Sequence, residues 1–489
     1  MYHLIRSDKE WSVKVLIGRE NERKRLRDLL ETDKSEFVAV YGRRRIGKTF
    51  LIRESYGYQF AFEHTGLRKG GIKKQLKAFR EKLCKCGYKS CPNLKDWAEA
   101  FLRLGELLEM KPNGKKVVFL DECPWLDTAR SGFLDELDHF WNDWCTMRKD
   151  IVLVICGSAA SWIVEKVIDN YGGLHNRLTR QVYLRPFTLH ECEDMARAKG
   201  IVFNRRQILE CYMVMGGVPY YWDLLDKSLG LAQNIDALFF RRKGELSEEF
   251  DHLYSSLFRI PEPYLKVISA LGKKRYGLTR DEIVAATKIP SSGNLTKVLK
   301  ALVQCDFVRT YCLPGRSSRE CIYQLVDNFT IFHQRFLDDK ANRMENFWSV
   351  SENSQPVRIW CGLAFERVAL QHEEQIKRKL GISGVVTRTY GWRYAADGKD
   401  ESGAQVDLVL DRNDRVVNIC EVKYRRGEEL YAISDEENRD LVNKREAYVR
   451  DTGTTSAVHL TMITVNGVRH NAAWNDIQSE VTLDDLFKE

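Results

Sequence analysis

No apolar run in this 489-residue chain is long enough to cross a membrane. The longest, such as Ile151 to Cys156, have the length of a buried sheet strand. The charged start around Arg6 and Asp8 is not followed by the apolar core of a secretory leader. These two absences predict a soluble, cytoplasmic protein with no membrane partner. A strong excess of one charge is also missing: 77 Lys and Arg stand against 69 Asp and Glu, a net +8. That balance permits a nucleic-acid partner without requiring one. Thirteen cysteines are present, but several, such as Cys156 and Cys420, sit inside apolar strand patterns. They suit buried free thiols better than a disulfide framework. Cys84, Cys86 and Cys91 form the one cluster; it lacks an evident fourth ligand and reads as a loop more readily than as a zinc site. What remains is globular, 44% hydrophobic, and too long for a single core.

The stretch that organises the chain is Gly42-Arg43-Arg44-Arg45-Ile46-Gly47-Lys48-Thr49, between the apolar run Phe37–Tyr41 and the helix-like Phe50–Glu54. Strand, glycine loop and helix in that order make a phosphate cradle from backbone N–H groups and a helix N-terminus. Lys48 is expected to reach the β- and γ-phosphates of ATP, and Thr49 to ligate Mg²⁺. Further on, Lys116–Leu120 is an apolar run that ends abruptly in Asp121 and Glu122. At the carboxyl end of a strand beside the glycine loop, Asp121 suits the Mg²⁺ shell and Glu122 suits the orientation of the attacking water. Ser158, just after the run Ile151–Cys156, is placed to touch the γ-phosphate or that water. Arg177 and Arg180 are candidates for a charge-stabilising arginine offered to a neighbouring copy in a homo-oligomer, and they fit surface ion pairs equally well.

From Pro261 the pattern shifts to short helices. Tyr264–Leu271 is amphipathic, Thr279-Arg280-Asp281-Glu282 is a capping box, and Ser291–Val303 places Leu295, Val298, Leu299 and Leu302 on one face. Two β-type runs, Phe307–Tyr311 and Cys321–Leu325, flank a basic tip. Three helices and a hairpin predict a winged helix-turn-helix, with Lys297, Lys300, Arg316 and Arg319 as contacts to DNA phosphates. Such domains also serve as packing modules.

The last third holds a helix expected from about Val357 to Leu380, carrying Glu366, and two strands, Ala404–Leu410 and Val416–Lys423. Asp407 lies in the first strand, Glu421 and Lys423 in the second. Residues 421 and 423 share a strand face. Asp407 and Glu421 can then share Mg²⁺ while Lys423 orients or deprotonates a water, as phosphodiester hydrolysis requires. The alternative is a same-face ion pair with no catalysis.

The motifs Ile17-Gly18-Arg19-Glu20, Gly42 to Thr49, Leu120-Asp121-Glu122, Gly157-Ser158, Leu184–Phe187 and Gly216-Gly217-Val218-Pro219 resemble archaeal and bacterial AAA-type ATPases related to the STAND class. The resemblance implies that Gly18 and Arg19 lie against the adenine, that Ser158 is the first sensor, and that the turn ending in Pro219 belongs to a helical lid. Glu366, Asp407, Glu421 and Lys423 resemble the PD-(D/E)xK nuclease core, with Gln405 where the related ATPases often carry a second acid. The implied fold class is α/β and multidomain: a P-loop NTPase core at 1–190, a helical lid at 191–252, a winged helix-turn-helix at 253–345, and a restriction-endonuclease-like domain at 346–489.

Overall fold

Alternate residues of the run Phe37–Val40 enter two different apolar clusters, Phe37 and Ala39 one of them and Val38 and Val40 the other. A strand with that property is covered on both faces, as in a parallel sheet flanked by helices. The computed structural model describes residues 16–157, 160–168, 177–258, 260–312, 320–338, 344–394 and 403–489. It divides the chain into two compact units, Met1–Pro186 and Phe187–Glu489.

In the first unit β1 (Glu36–Gly42), β2 (Phe62–Thr65), β3 (Lys116–Asp121), β4 (Ile151–Gly157) and β5 (Arg180–Leu184) form one sheet in the order β2-β3-β4-β1-β5. Every pairing is parallel, so all five carboxyl ends lie along one edge. β4 sits between β1 and β3, which sets the glycine loop and the paired acids on either side of its end. The second strand begins at Phe62. Tyr58 takes a left-handed φ of 59° and its N–H bonds back to Arg53, so these residues close the preceding helix.

The second unit opens with helices Leu189–Ala198 and Arg205–Met215, each begun by a capping box, from Thr188 and Asn204. The turn that follows is held where the Phe187 N–H donates to the Gly217 carbonyl at 2.6 Å and the Trp222 indole donates to the Gly216 carbonyl at 2.7 Å. Pro219 then starts the short helix Pro219–Asp223. After the helical segments Leu231–Ile235, Asp236–Phe240 and Glu249–Leu257 come helix Glu262–Gly272, β6 (Leu278–Thr279), helices Arg280–Thr287 and Gly293–Gln304, and the antiparallel pair β7 (Val308–Tyr311) and β8 (Ile322–Leu325). The Thr279 capping box forms, with the Thr279 N–H on Glu282 at 2.7 Å. The register Tyr311 to Ile322, carried one step on, sets Cys312 opposite Cys321, and the two are disulfide-bonded. This corrects the expectation of free thiols at these positions; the other eleven cysteines are not disulfide-bonded, and nine of them are buried. The basic tip with Arg316 and Arg319 lies outside the described residues, as does Ser158.

The unit closes with a mixed sheet ordered β9 (Thr387–Tyr394), β10 (Ala404–Arg412), β11 (Val416–Lys423), β12 (Ala457–Thr464) and β13 (Ser479–Thr482). β9, β10 and β11 are antiparallel neighbours, and β12 and β13 join in parallel. The single helix expected up to Leu380 is two, Gln355–Gln371 and Glu373–Lys379. They part at His372, whose φ of −112° and ψ of 34° leave the helical region.

Candidate functional sites

Gly42 ends β1 with φ 144°, and a Cβ there would lie 2.3 Å from the Leu184 carbonyl oxygen of β5. Only glycine lets the chain turn off the sheet at that point. Ile46 is buried in the core behind the loop and pins it, while Arg45 and Gly47 take left-handed φ of 67° and 85°. Arg43 is buried and Arg44 half-buried. Lys48 is buried at the start of helix Lys48–Ser55, and its ammonium donates to the carbonyls of Gly42 at 3.1 Å and Arg43 at 2.7 Å. The Thr49 hydroxyl donates to Asp121 Oδ2 at 3.1 Å, so the loop threonine and the strand acid meet as the sequence predicts.

The other oxygen of Asp121, Oδ1, accepts the Glu122 backbone N–H at 3.0 Å. Burial, and then the charge of Glu122, raise the Asp121 carboxyl above its usual range. Glu122 itself is only partly buried and leaves β3 with φ 50°, turning away from the sheet into helix Cys123–Leu126. The Thr49 hydroxyl and the Asp121 carboxylate form a hard-oxygen pair at a helix N-terminus, which fits Mg²⁺. Gly18 precedes Arg19, which caps helix Glu20–Arg27 at φ 66° and donates through Nη2 to the Arg185 carbonyl at 2.6 Å, tying this turn to the end of β5. Arg177 and Arg180 are exposed, and Arg180 donates only to the neighbouring Thr179 carbonyl among its described side-chain bonds.

The second site lies where β10 and β11 run side by side. A bulge between Val406 and Val409 changes the strand's parity, and pairing of Leu408 with Cys420 sets Asp407 opposite Glu421 one step further. Lys423 Nζ lies 3.0 Å from Glu421, confirming the shared face of residues 421 and 423. Two further partners, Arg275 and Lys444, had no signal in the sequence, and Gln405 was marked there only as a departure from the family pattern. Arg275, in the turn after helix Glu262–Gly272, grips Glu366 through Nε at 3.1 Å and through Nη2, and its Nη2 also reaches Asp407 Oδ2 at 3.0 Å. Lys444, on helix Asp435–Thr452, donates to Glu421 Oε2 at 3.0 Å. Gln405, the residue in place of a second acid, donates its amide to Asp407 Oδ1 at 3.1 Å.

Burial, then the charge of Asp407, push the Glu366 carboxyl up to about 7 against the opposing pull of Arg275. Among the described residues no three His, Cys, Asp or Glu side chains are grouped to hold a metal ion. In the structure protein cations meet these acids, Arg275 on Asp407 and Lys423 and Lys444 on Glu421. The donor set still fits Mg²⁺, since the guanidinium marks a place between Glu366 and Asp407 where positive charge is held.

The all-parallel order, the glycine loop and the Thr49–Asp121 contact make the first unit a P-loop ATPase fold. Residues 16–225 match the family model of an ATPase domain found predominantly in Archaea. Over 432 residues the chain is 24% identical to an uncharacterized protein of Methanocaldococcus jannaschii, covering 84% of this chain and 88% of that one. Among solved structures it is similar to a Walker-type ATPase of Pyrococcus abyssi, at 18% identity and a TM-score of 0.47, covering 65% of this chain and 95% of that one. The ORC2 protein of Aeropyrum pernix aligns at 12% identity and a TM-score of 0.40, covering 65% and 94%. No described helix is long and apolar enough to cross a membrane.

Proposed function

We propose that this protein is a Mg²⁺-dependent ATPase whose second unit binds DNA and hydrolyses a phosphodiester at Glu366, Asp407, Glu421 and Lys423. The observation that carries the second half is Asp407 standing opposite Glu421 with Lys423 on the same face. In the first unit Lys48 neutralises phosphate charge, Asp121 and Thr49 hold Mg²⁺, and Glu122 orients the attacking water. Mg²⁺, when held by Asp121 and Thr49, would neutralise phosphate charge. Ser158 serves as a polar contact to the γ-phosphate, Gly18, Arg19 and the Pro219 turn contribute to nucleotide binding, and Arg177 or Arg180 completes the site of a second copy.

The helices and hairpin from Glu262 to Leu325 act as a winged helix that positions DNA. Lys297 and Lys300, both exposed on helix Gly293–Gln304, meet the backbone phosphates. At the second site Asp407 and Glu421 would share the cation beside Glu366, Lys423 would orient or deprotonate the water, and Lys444 holds Glu421 in place. The test is nicking of supercoiled plasmid in Mg²⁺, with and without ATP, alongside ATP turnover. ATPase activity that rises per chain with concentration supports the arginine's role in a neighbouring site, and turnover independent of concentration in a monomer refutes it.

A second reading is favoured by the Arg275 bridge and the Gln405 contact, which leave the acids of this site satisfied within the protein. In that reading the chain is a regulatory ATPase switch or DNA-binding assembly protein, and the last sheet is a docking surface. Absence of nicking under every metal and nucleotide condition selects it.

A further inference from the structure

Beside Glu366 and Asp407 opens a cleft of about 510 Å³, lined on one side by the turn Lys273-Lys274-Arg275 and on another by Arg335. Among the described residues Lys273, Lys274 and Arg335 are exposed and make no ion pair, while Arg275 spends its charge on the two acids at the cleft's end. Asp338 also lines the cleft and faces the His333 ring at 3.4 Å. Three cations without a described ion pair around a concave surface that ends in the two acids attract an anion, and a phosphate-bearing strand supplies one.

The Arg275 backbone is fixed while its side chain is free to exchange partners. Its carbonyl accepts the Gln324 amide at 2.8 Å, and the neighbouring Tyr276 carbonyl accepts the Tyr311 hydroxyl at 3.2 Å. Gly277 closes the turn at φ 83°, where a Cβ would lie 2.3 Å from the Tyr323 carbonyl oxygen. A guanidinium binds carboxylate and phosphate with the same two-pronged geometry, so a phosphate entering the cleft competes directly with Glu366 and Asp407 for it.

We propose that the cleft is a binding site for the phosphates of a nucleic-acid strand, and that Arg275 is its interlock. Without a strand, Arg275 holds Glu366 and Asp407 and keeps a divalent cation out. A strand phosphate draws the guanidinium away and opens the carboxylates to the metal. The inference rests on the nuclease reading for the identity of the strand, and on the Arg275 bridge for the interlock.

The test is Mn²⁺ binding to the full chain without ATP, read from the paramagnetic signal of free Mn²⁺. It is run with and without a short single-stranded phosphorothioate oligonucleotide, which resists cleavage. Without oligonucleotide, Arg275→Ala is expected to bind Mn²⁺ about tenfold more tightly than wild type, a typical coupling between sites. Adding Asp407→Ala removes that gain, which assigns it to this site and not to the glycine loop. With oligonucleotide the wild type gains the same affinity, and Lys273→Glu with Lys274→Glu loses the gain. Arg275→Gln repeats the measurement should the alanine variant not fold.

Equal Mn²⁺ affinity of wild type and both Arg275 variants without oligonucleotide overturns the interlock, as does a gain that survives Asp407→Ala. Cleavage is scored separately. An Arg275 variant that takes up Mn²⁺ through Asp407 yet cuts no DNA sinks the nuclease reading and leaves the interlock standing. A wild type that cuts DNA with Mn²⁺ affinity indifferent to Arg275 does the reverse.

Discussion

At the end of β3, Asp121 is met by the Thr49 hydroxyl and a backbone N–H, whereas at β10 and β11, Asp407 and Glu421 are met by Arg275, Lys423 and Lys444. Among the described residues no cation pairs with the first acid, and its carboxyl is raised by burial; Mg²⁺ can provide the counter-charge. The acids of the second site carry their counter-charges already, so a metal ion there has to displace a side chain. Strand carboxylates thus meet two surroundings in one chain: one of hydrogen-bonding dipoles, and one closed by the protein's own cations.

The largest expected effect falls on the open site. Lys48→Ala abolishes ATP binding, and Glu122→Gln binds ATP but turns it over at least about a hundredfold more slowly, since the water loses its orienting base. Equilibrium nucleotide binding and steady-state phosphate release separate the two. A Glu122→Gln chain that hydrolyses ATP at the wild-type rate removes Glu122 from this role.

A pH effect of the next size reaches both units. His64 is buried in the first unit and His372 in the second, and burial lowers each to about 4 from 6.5. The neutral His372 ring bridges two elements: Nδ1 meets the Val368 carbonyl at 2.8 Å and Nε2 accepts the Leu189 N–H at 2.9 Å. The unfolded chain binds more protons than the folded one between pH 6.5 and 4, so stability is full above 6.5 and is lost as pH falls through 4. The loss is at most roughly 3 kcal/mol per histidine. Denaturant melts at pH 7 and pH 4.5 read it, and His372→Gln should flatten the difference for the second unit only.

Much of this was legible because it is local. β11 spans the run Val416–Lys423 that its apolar pattern marks, and the capping box at Thr279 forms between residues three apart. The glycine loop and Asp121 could be placed together because a parallel sheet puts strand ends on one edge. Arg275 could not be read, because its partners Glu366 and Asp407 are far away in sequence and a Lys-Lys-Arg turn looks like any solvated one. Lys444 was hidden likewise, since its i,i+4 neighbour Asp440 offers an ordinary helix-surface ion pair at 3.0 Å. The break at His372 escaped the helical pattern because it depends on a tertiary bond to Leu189, not on a glycine or proline.

A smaller effect sharpens the contrast between the sites. Lys444→Met leaves Glu421 with Lys423 as its remaining cation, and should cost about 2 kcal/mol of stability, the range for removing one partner of a partly buried charged hydrogen bond. Mg²⁺ should restore part of that loss, because a divalent cation supplies what the lysine did. Thermal melts with and without Mg²⁺ measure this; an unchanged midpoint in Lys444→Met shows that Lys423 alone balances Glu421.

The most direct test of two separable chemistries is to measure ATP hydrolysis and plasmid nicking on one preparation of Asp407→Ala and one of wild type. The account predicts that Asp407→Ala cuts no DNA while its ATP turnover stays within about threefold of wild type, since the two sites share positioning and no reacting atom. Wild type that never nicks DNA, whatever the metal or nucleotide, would contradict it.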